Sequence, residues 1–198
     1  VRVNDALVSR PAVATAISNG NFTTSTGWTD ASARGGTLAF GGSGLVLNAV
    51  TIGGLAVCRR QIAVAGGDAG KRHALDINVA RGPVTFRCGS SSGDDDYIPE
   101  TVLRTGLHSL AFTPSGDFHL TFQSDLNIDR VVSSVAVGPS GTMEINSPWS
   151  ASDLENLDWT QSADVIFVAC GGVQQCRIER RATDSWSLVR YAPTNGPF

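Results

Sequence analysis

Residues 90–97 read Ser-Ser-Ser-Gly-Asp-Asp-Asp-Tyr and form the most polar stretch of the chain. Three successive carboxylates could offer oxygen ligands to calcium. Neighbours in a loop, however, seldom all face one ion, and the spaced carboxylates of a dedicated calcium loop are missing. A solvated turn is the expectation, with a structural calcium as the alternative and no other cofactor. The same loop bears on sugar binding, which needs an exposed ring to stack on a pyranose and polar groups nearby to fix its hydroxyls. The candidates are Tyr97, Trp28 and His108, with Asp95 of the acidic loop. Against that, a tryptophan is often a core or edge packing residue, and a lone loop tyrosine is common.

Catalysis needs a constellation, and the sequence spells none. There is no Gly-x-Ser-x-Gly, no His-Glu-x-x-His and no phosphate-cradling glycine loop. Asp76, Glu100 and Asp117 could make a glycosidase pair, but a linear sequence does not set the separation that such a pair requires. His73, His108 and His119 fall in or beside predicted strands, where a hydrogen-bonded structural histidine is usual. Cys58, Cys88, Cys170 and Cys176 include no Cys-x-x-Cys pair, and no histidine neighbours them. A bridge between Cys170 and Cys176 is conceivable across a hairpin, but burial as reduced thiols is the expectation. The chain is therefore read as non-enzymatic and without a metal site.

Composition narrows the class. With 198 residues, 41% hydrophobic and 17% charged, the chain can bury a core. Its net charge is −3, and Lys71 is its only lysine. Nucleic acid would need a clustered basic face, for which this balance gives no case, and Arg180-Arg181 is read as a solvated strand edge. No apolar run approaches a membrane span, and no basic region with a hydrophobic signal core opens the chain. The expectation is a soluble segment, without an export signal, cut from a longer polypeptide.

The positioning elements follow from alternation. Twenty-two glycines, eight prolines and almost no helical period predict an all-β class. Eight strands are predicted at 38–40, 45–47, 58–64, 74–79, 84–88, 107–112, 118–122 and 131–137, separated by Gly, Pro, Asp or Ser clusters. Three more, at 165–168, 176–180 and 186–191, make a meander turned by Gly171-Gly172 and by residues 182–185. A short hairpin is predicted over residues 1–8.

Two resemblances add to this. Asn19-Gly20-Asn21-Phe22 followed by Gly27-Trp28 resembles the opening of jelly-roll modules of the carbohydrate-binding and galactose-binding-like kind, which implies a packed Phe22 and an edge-closing Trp28. Such modules often hold calcium through a glutamate after the phenylalanine, and here that position is Thr23. The second resemblance lies in the last third of the chain. Pro148-Trp149, Asp153-Leu154, Leu157, Gln161-Ser162-Ala163-Asp164, a basic strand at 177–181, Ser185-Trp186-Ser187-Leu188 and Gly196-Pro197-Phe198 follow in order. That succession resembles a segment of tail and virion proteins of tailed bacteriophages and prophages, with Trp149 where tyrosine is usual and Cys170 where histidine is common.

Together they imply a jelly-roll β-sandwich, residues 19–140, inserted in a small β-meander framework of propeller-like or barrel-like kind, residues 1–18 and 141–198. The implied function is a structural virion or tail component, assembled in the bacterial cytoplasm, that contacts sister subunits as a homo-oligomer and a host glycan through its jelly roll. Neither nucleic acid nor membrane is an implied partner. The alternative is a carbohydrate-binding module of a larger bacterial enzyme or surface protein.

Overall fold

Alternation sets the layers. Leu75, Ile77 and Val79 share one face of their strand, as do Val84, Phe86 and Cys88, and Phe118, Leu120 and Phe122, and all nine meet in one core. The structure, a computed structural model, describes residues 2–3 and 6–192. Its first strands are β1 (Arg2–Val3), β2 (Ala6–Leu7), β3 (Ser9–Arg10), β4 (Thr29–Asp30), β5 (Thr37–Gly41) and β6 (Gly44–Asn48). The sandwich continues with β7 (Ala56–Ile62), β8 (His73–Arg81), β9 (Val84–Gly89), β10 (Ile98–Leu103), β11 (Gly106–Phe112), β12 (Phe118–Ser124) and β13 (Arg130–Val137). Then come β14 (Gly141–Thr142), a 3-10 turn (Ala151–Asn156), β15 (Asp158–Ser162), β16 (Val165–Cys170), β17 (Val173–Ala182) and β18 (Ser185–Arg190).

The pairing is that of a jelly roll. One layer runs β10-β9-β12-β7-β4, and within the other stands the order β11-β8-β13-β6-β5. From β6 to β13 the chain changes layer at every step except β9 to β10, which gives two interleaved Greek keys. All eight predicted sandwich strands form. The jelly-roll eight nevertheless include β10, which the sequence reading omits, and leave β5 as an edge partner of β6. β10 reads Ile-Pro-Glu-Thr-Val-Leu and buries only its ends; as an edge strand it tolerates the missing N–H of Pro99.

Phe22 and Trp28 close the sandwich from its opening loop, with ring centroids 4.6 Å apart, and Phe122 lies 6.0 Å from Phe22 and 5.0 Å from Phe86. Burying each such ring contributes about 1.5–3 kcal/mol. Gly20 lets the opening loop lie against β13: its carbonyl accepts from Val135 N at 2.8 Å, and a Cβ there would meet Val135 O at 2.0 Å.

The C-terminal meander forms, with β15 as a strand the sequence reading misses. It closes no barrel. Instead β18 hydrogen-bonds to β11, from Gly106↔Val189 to Ser109↔Trp186, so that β15-β16-β17-β18 extends the second layer to nine strands. The sheet thus runs across the boundary drawn near residue 140. The two flanks also meet: β3 pairs with β14, and Met143 N donates to Val8 O at 2.9 Å. Beneath that pair Arg10 reaches the outer side of the large sheet, donating to Ser109 Oγ at 2.5 Å, and Ser109 Oγ donates to Asp76 Oδ1 at 2.5 Å. Trp159 and Trp186 stand outside the core, Trp159 on the exposed edge strand β15. Among the described residues no helix is long and apolar enough to cross a membrane. Val1 and the Gly196-Pro197-Phe198 motif lie outside the described residues.

Candidate functional site

The four candidate ligand residues do not converge. Trp28 is 7% exposed, its Nε1 donates to Asn19 O at 3.1 Å, and Arg60 covers its ring at 5.2 Å. It is a packing residue with no free face for a pyranose. His108 is 2% exposed and lies in the seam between β11 and β18, where it faces no solvent. Burial away from water, only partly offset by the Arg104 carbonyl and reinforced by the Arg181 charge, brings its pKa down to about 4. The ring is therefore neutral. Its Nε2–H donates to Arg104 O and its Nδ1 accepts from Ser187 Oγ, each at 2.8 Å. A serine beside a histidine resembles a nucleophile and its base, but Ser187 is fully buried, and Arg181 Nε donates to the same hydroxyl at 2.7 Å. The trio is a structural joint.

Asp95 and its neighbours organise the 90–97 loop from within. Asp95 Oδ2 accepts from Glu100 N at 3.1 Å and Asp96 Oδ1 from Ser90 N at 2.7 Å. The Ser90 bond holds the Asp96 carboxyl below its ordinary pKa. Among the described residues no three His, Cys, Asp or Glu side chains gather as a metal site. The cysteines are free thiols, with Cys58, Cys88 and Cys176 buried. Burial, helped by Asp30, pushes Cys58 up to about 12, so it carries no nucleophilic thiolate.

Tyr97 is the candidate that lines a cavity. Its ring is half-buried against Phe112, with centroids 5.9 Å apart, and its hydroxyl sits 2.8 Å from Ser115 Oγ. The cavity, about 470 Å³, opens between β10 and the β17–β18 turn. Glu100, Thr101, Arg181 and Ser185 bring polar groups to it, and Ile98 and Pro99 bring apolar ones. Such a mixture of one aromatic face and a few convergent polar groups suits a small polar ligand. Glu100 also ion-pairs with Arg87 on the outer side of the five-stranded layer.

Arg181 departs from the sequence reading. It is no solvated edge residue: it lies half-buried, and its Nη1 donates to Thr101 Oγ1 at 2.9 Å and its Nη2 to Val102 O at 3.3 Å, joining the meander to β10. Desolvation lowers its pKa, with Glu179 opposing. The linear pattern gave no sign of this, because β10 and β17 meet only once the large sheet overhangs the small one. No family model, no curated protein and no solved structure matches the chain.

Proposed function

We propose that this chain is a non-enzymatic structural segment of a phage or prophage tail or virion protein, and that its jelly roll contacts a host glycan through the Tyr97 cavity. The observation that carries the glycan contact is the meeting of the Tyr97 ring with Glu100, Thr101, Arg181 and Ser185 around one opening. The virion assignment rests on the ordered motifs from Pro148 to Gly196-Pro197-Phe198. In that setting the partners are other tail subunits and further copies of the same chain, and the location is the assembled particle.

A second reading, a carbohydrate-binding module of a larger bacterial enzyme or surface protein, draws on the same jelly roll and cavity. Antibody labelling of induced phage particles separates the two. Gold on tails supports the virion reading, and label confined to the cell surface or culture medium overturns it.

A further inference from the structure

Sheet topology brings three distant arginines to one end of the large layer. β18, β11 and β8 are neighbours there, and the register Gly106↔Val79 and Gly106↔Val189 aligns the end of β8, the start of β11 and the end of β18. Arg81, Arg104 and Arg190 stand at those three positions and line one cleft of about 580 Å³. The floor is held rigidly. Thr105 Oγ1 accepts from Gly82 N at 2.8 Å and Thr105 O accepts from Arg190 N at 2.9 Å, so one residue pins the β8–β9 turn and the end of β18. Gly106 permits the close approach: its φ is +145°, and a Cβ there would meet Leu188 O at 2.2 Å.

Among the described residues nothing balances the charges in this cleft. No acidic residue lines it, and among the described residues none of the three guanidinium groups makes a hydrogen bond or ion pair. Two exposed arginines elsewhere pair with carboxylates, Arg72 with Asp184 and Arg180 with Asp164. The chain as a whole is acidic, with net charge −3, so this cluster is not the by-product of a basic composition. Three planar forks around one opening suit an oxyanion, because each can donate in parallel to a carboxylate or phosphate. Around them Pro83, Ala80 and Ala192 offer apolar surface for the C–H face of a ring, and Gln174 a further amide.

We infer that this cleft binds the anionic group, carboxylate or phosphate, of an acidic sugar unit in a surface polysaccharide. That the anion comes on a polysaccharide rests on the glycan reading above; that the cleft takes an oxyanion does not. The cleft shares no lining residue with the Tyr97 cavity and is a second, separate site.

The test is an amide-detected NMR titration of the 198-residue chain with inorganic phosphate, hexagalacturonate, neutral maltohexaose and a short single-stranded oligonucleotide. Wild type and the Arg104→Gln/Arg190→Gln variant are compared, and circular dichroism confirms that both are folded. Both arginines are exposed, so the variant keeps its core. Expected are saturable shifts at Gly82, Thr105 and Gln174 with hexagalacturonate or phosphate. They should weaken with salt and by at least about tenfold in the variant, the scale of one lost charge-assisted contact.

Shifts with phosphate but with no carboxylate sugar assign the anion to a phosphate-bearing polymer. Equal or tighter binding of the oligonucleotide overturns the polysaccharide assignment. An absence of arginine-dependent shifts with every anion overturns the cleft itself, and leaves the Tyr97 cavity to be judged on its own titration.

Discussion

Ser187 Oγ donates to His108 Nδ1 at 2.8 Å across the seam that joins the jelly roll to its C-terminal meander. Because burial keeps His108 neutral, the joint is coupled to pH. The unfolded chain binds a proton on this histidine below about pH 6.5, whereas the folded chain does so only near 4. Burial of the neutral ring therefore makes stability level above about 6.5 and lower as pH falls toward 4, by about 3 kcal/mol over that window. Thermal unfolding measured from pH 8 to 4 should show a Tm that is level above 7 and then declines, and His108→Gln should flatten the decline. An equal slope in the variant would assign the pH dependence elsewhere.

Asp68 anchors the segment that precedes the sandwich. It is buried, and it accepts from Ala14 N at 2.6 Å, Thr15 N at 2.9 Å, Thr15 Oγ1 at 3.0 Å and Lys71 Nζ at 3.0 Å. Burial raises its pKa, but Lys71 and the Thr15 and Ala14 donors outweigh that and hold the carboxyl well below its usual range. The stabilisation is present above the unfolded carboxylate value and is lost as pH drops below about 4. Asp68→Asn should lower Tm and speed hydrogen exchange at Ala14 and Thr15, with the core strands still protected. Unchanged exchange at those two amides would show that the segment is held by other contacts.

Gly20→Ala is predicted to cost at least about 2 kcal/mol, because the added methyl would stand 2.0 Å from the Val135 carbonyl and force the opening loop off β13. Chemical denaturation gives the number. A change below about 0.5 kcal/mol would mean that the loop relaxes without losing its bond to Val135.

Arg181→Ala removes the donors to Thr101, Val102 and Ser187 in one step, and should destabilise by about 2–3 kcal/mol with the loss concentrated in β10 and the meander. Residue-resolved hydrogen exchange reads where the protection goes. Uniform loss across the sandwich would contradict a local bracing role.

The strands whose apolar residues alternate could be read in advance, since Leu75, Ile77 and Val79 and their counterparts have only one sensible interior. β10 and β15 could not. The first carries Pro99 and Glu100 on an edge, and the second, Asp-Trp-Thr-Gln-Ser, buries nothing, so neither shows a period. Trp28 illustrates a different limit, because an aromatic beside a turn looks the same whether it stacks on a ligand or on Phe22. The clustering of Arg81, Arg104 and Arg190 was hidden for a third reason. It depends on the neighbouring of β8, β11 and β18, and the pairing of β18 with β11 is a long-range event that no local spacing encodes.

A glycan site at Tyr97 is tested by calorimetric titration of wild type, Tyr97→Ala and Tyr97→Phe against a panel of host polysaccharide fragments. Saturable heat is expected with at least one fragment. The ring's removal in Tyr97→Ala should weaken binding about tenfold, as expected for losing one stacking face and its neighbours. Tyr97→Phe, which keeps the ring, should stay within a few-fold of wild type. Flat titrations across the panel, or equal affinity in all three proteins, would contradict a glycan site at Tyr97.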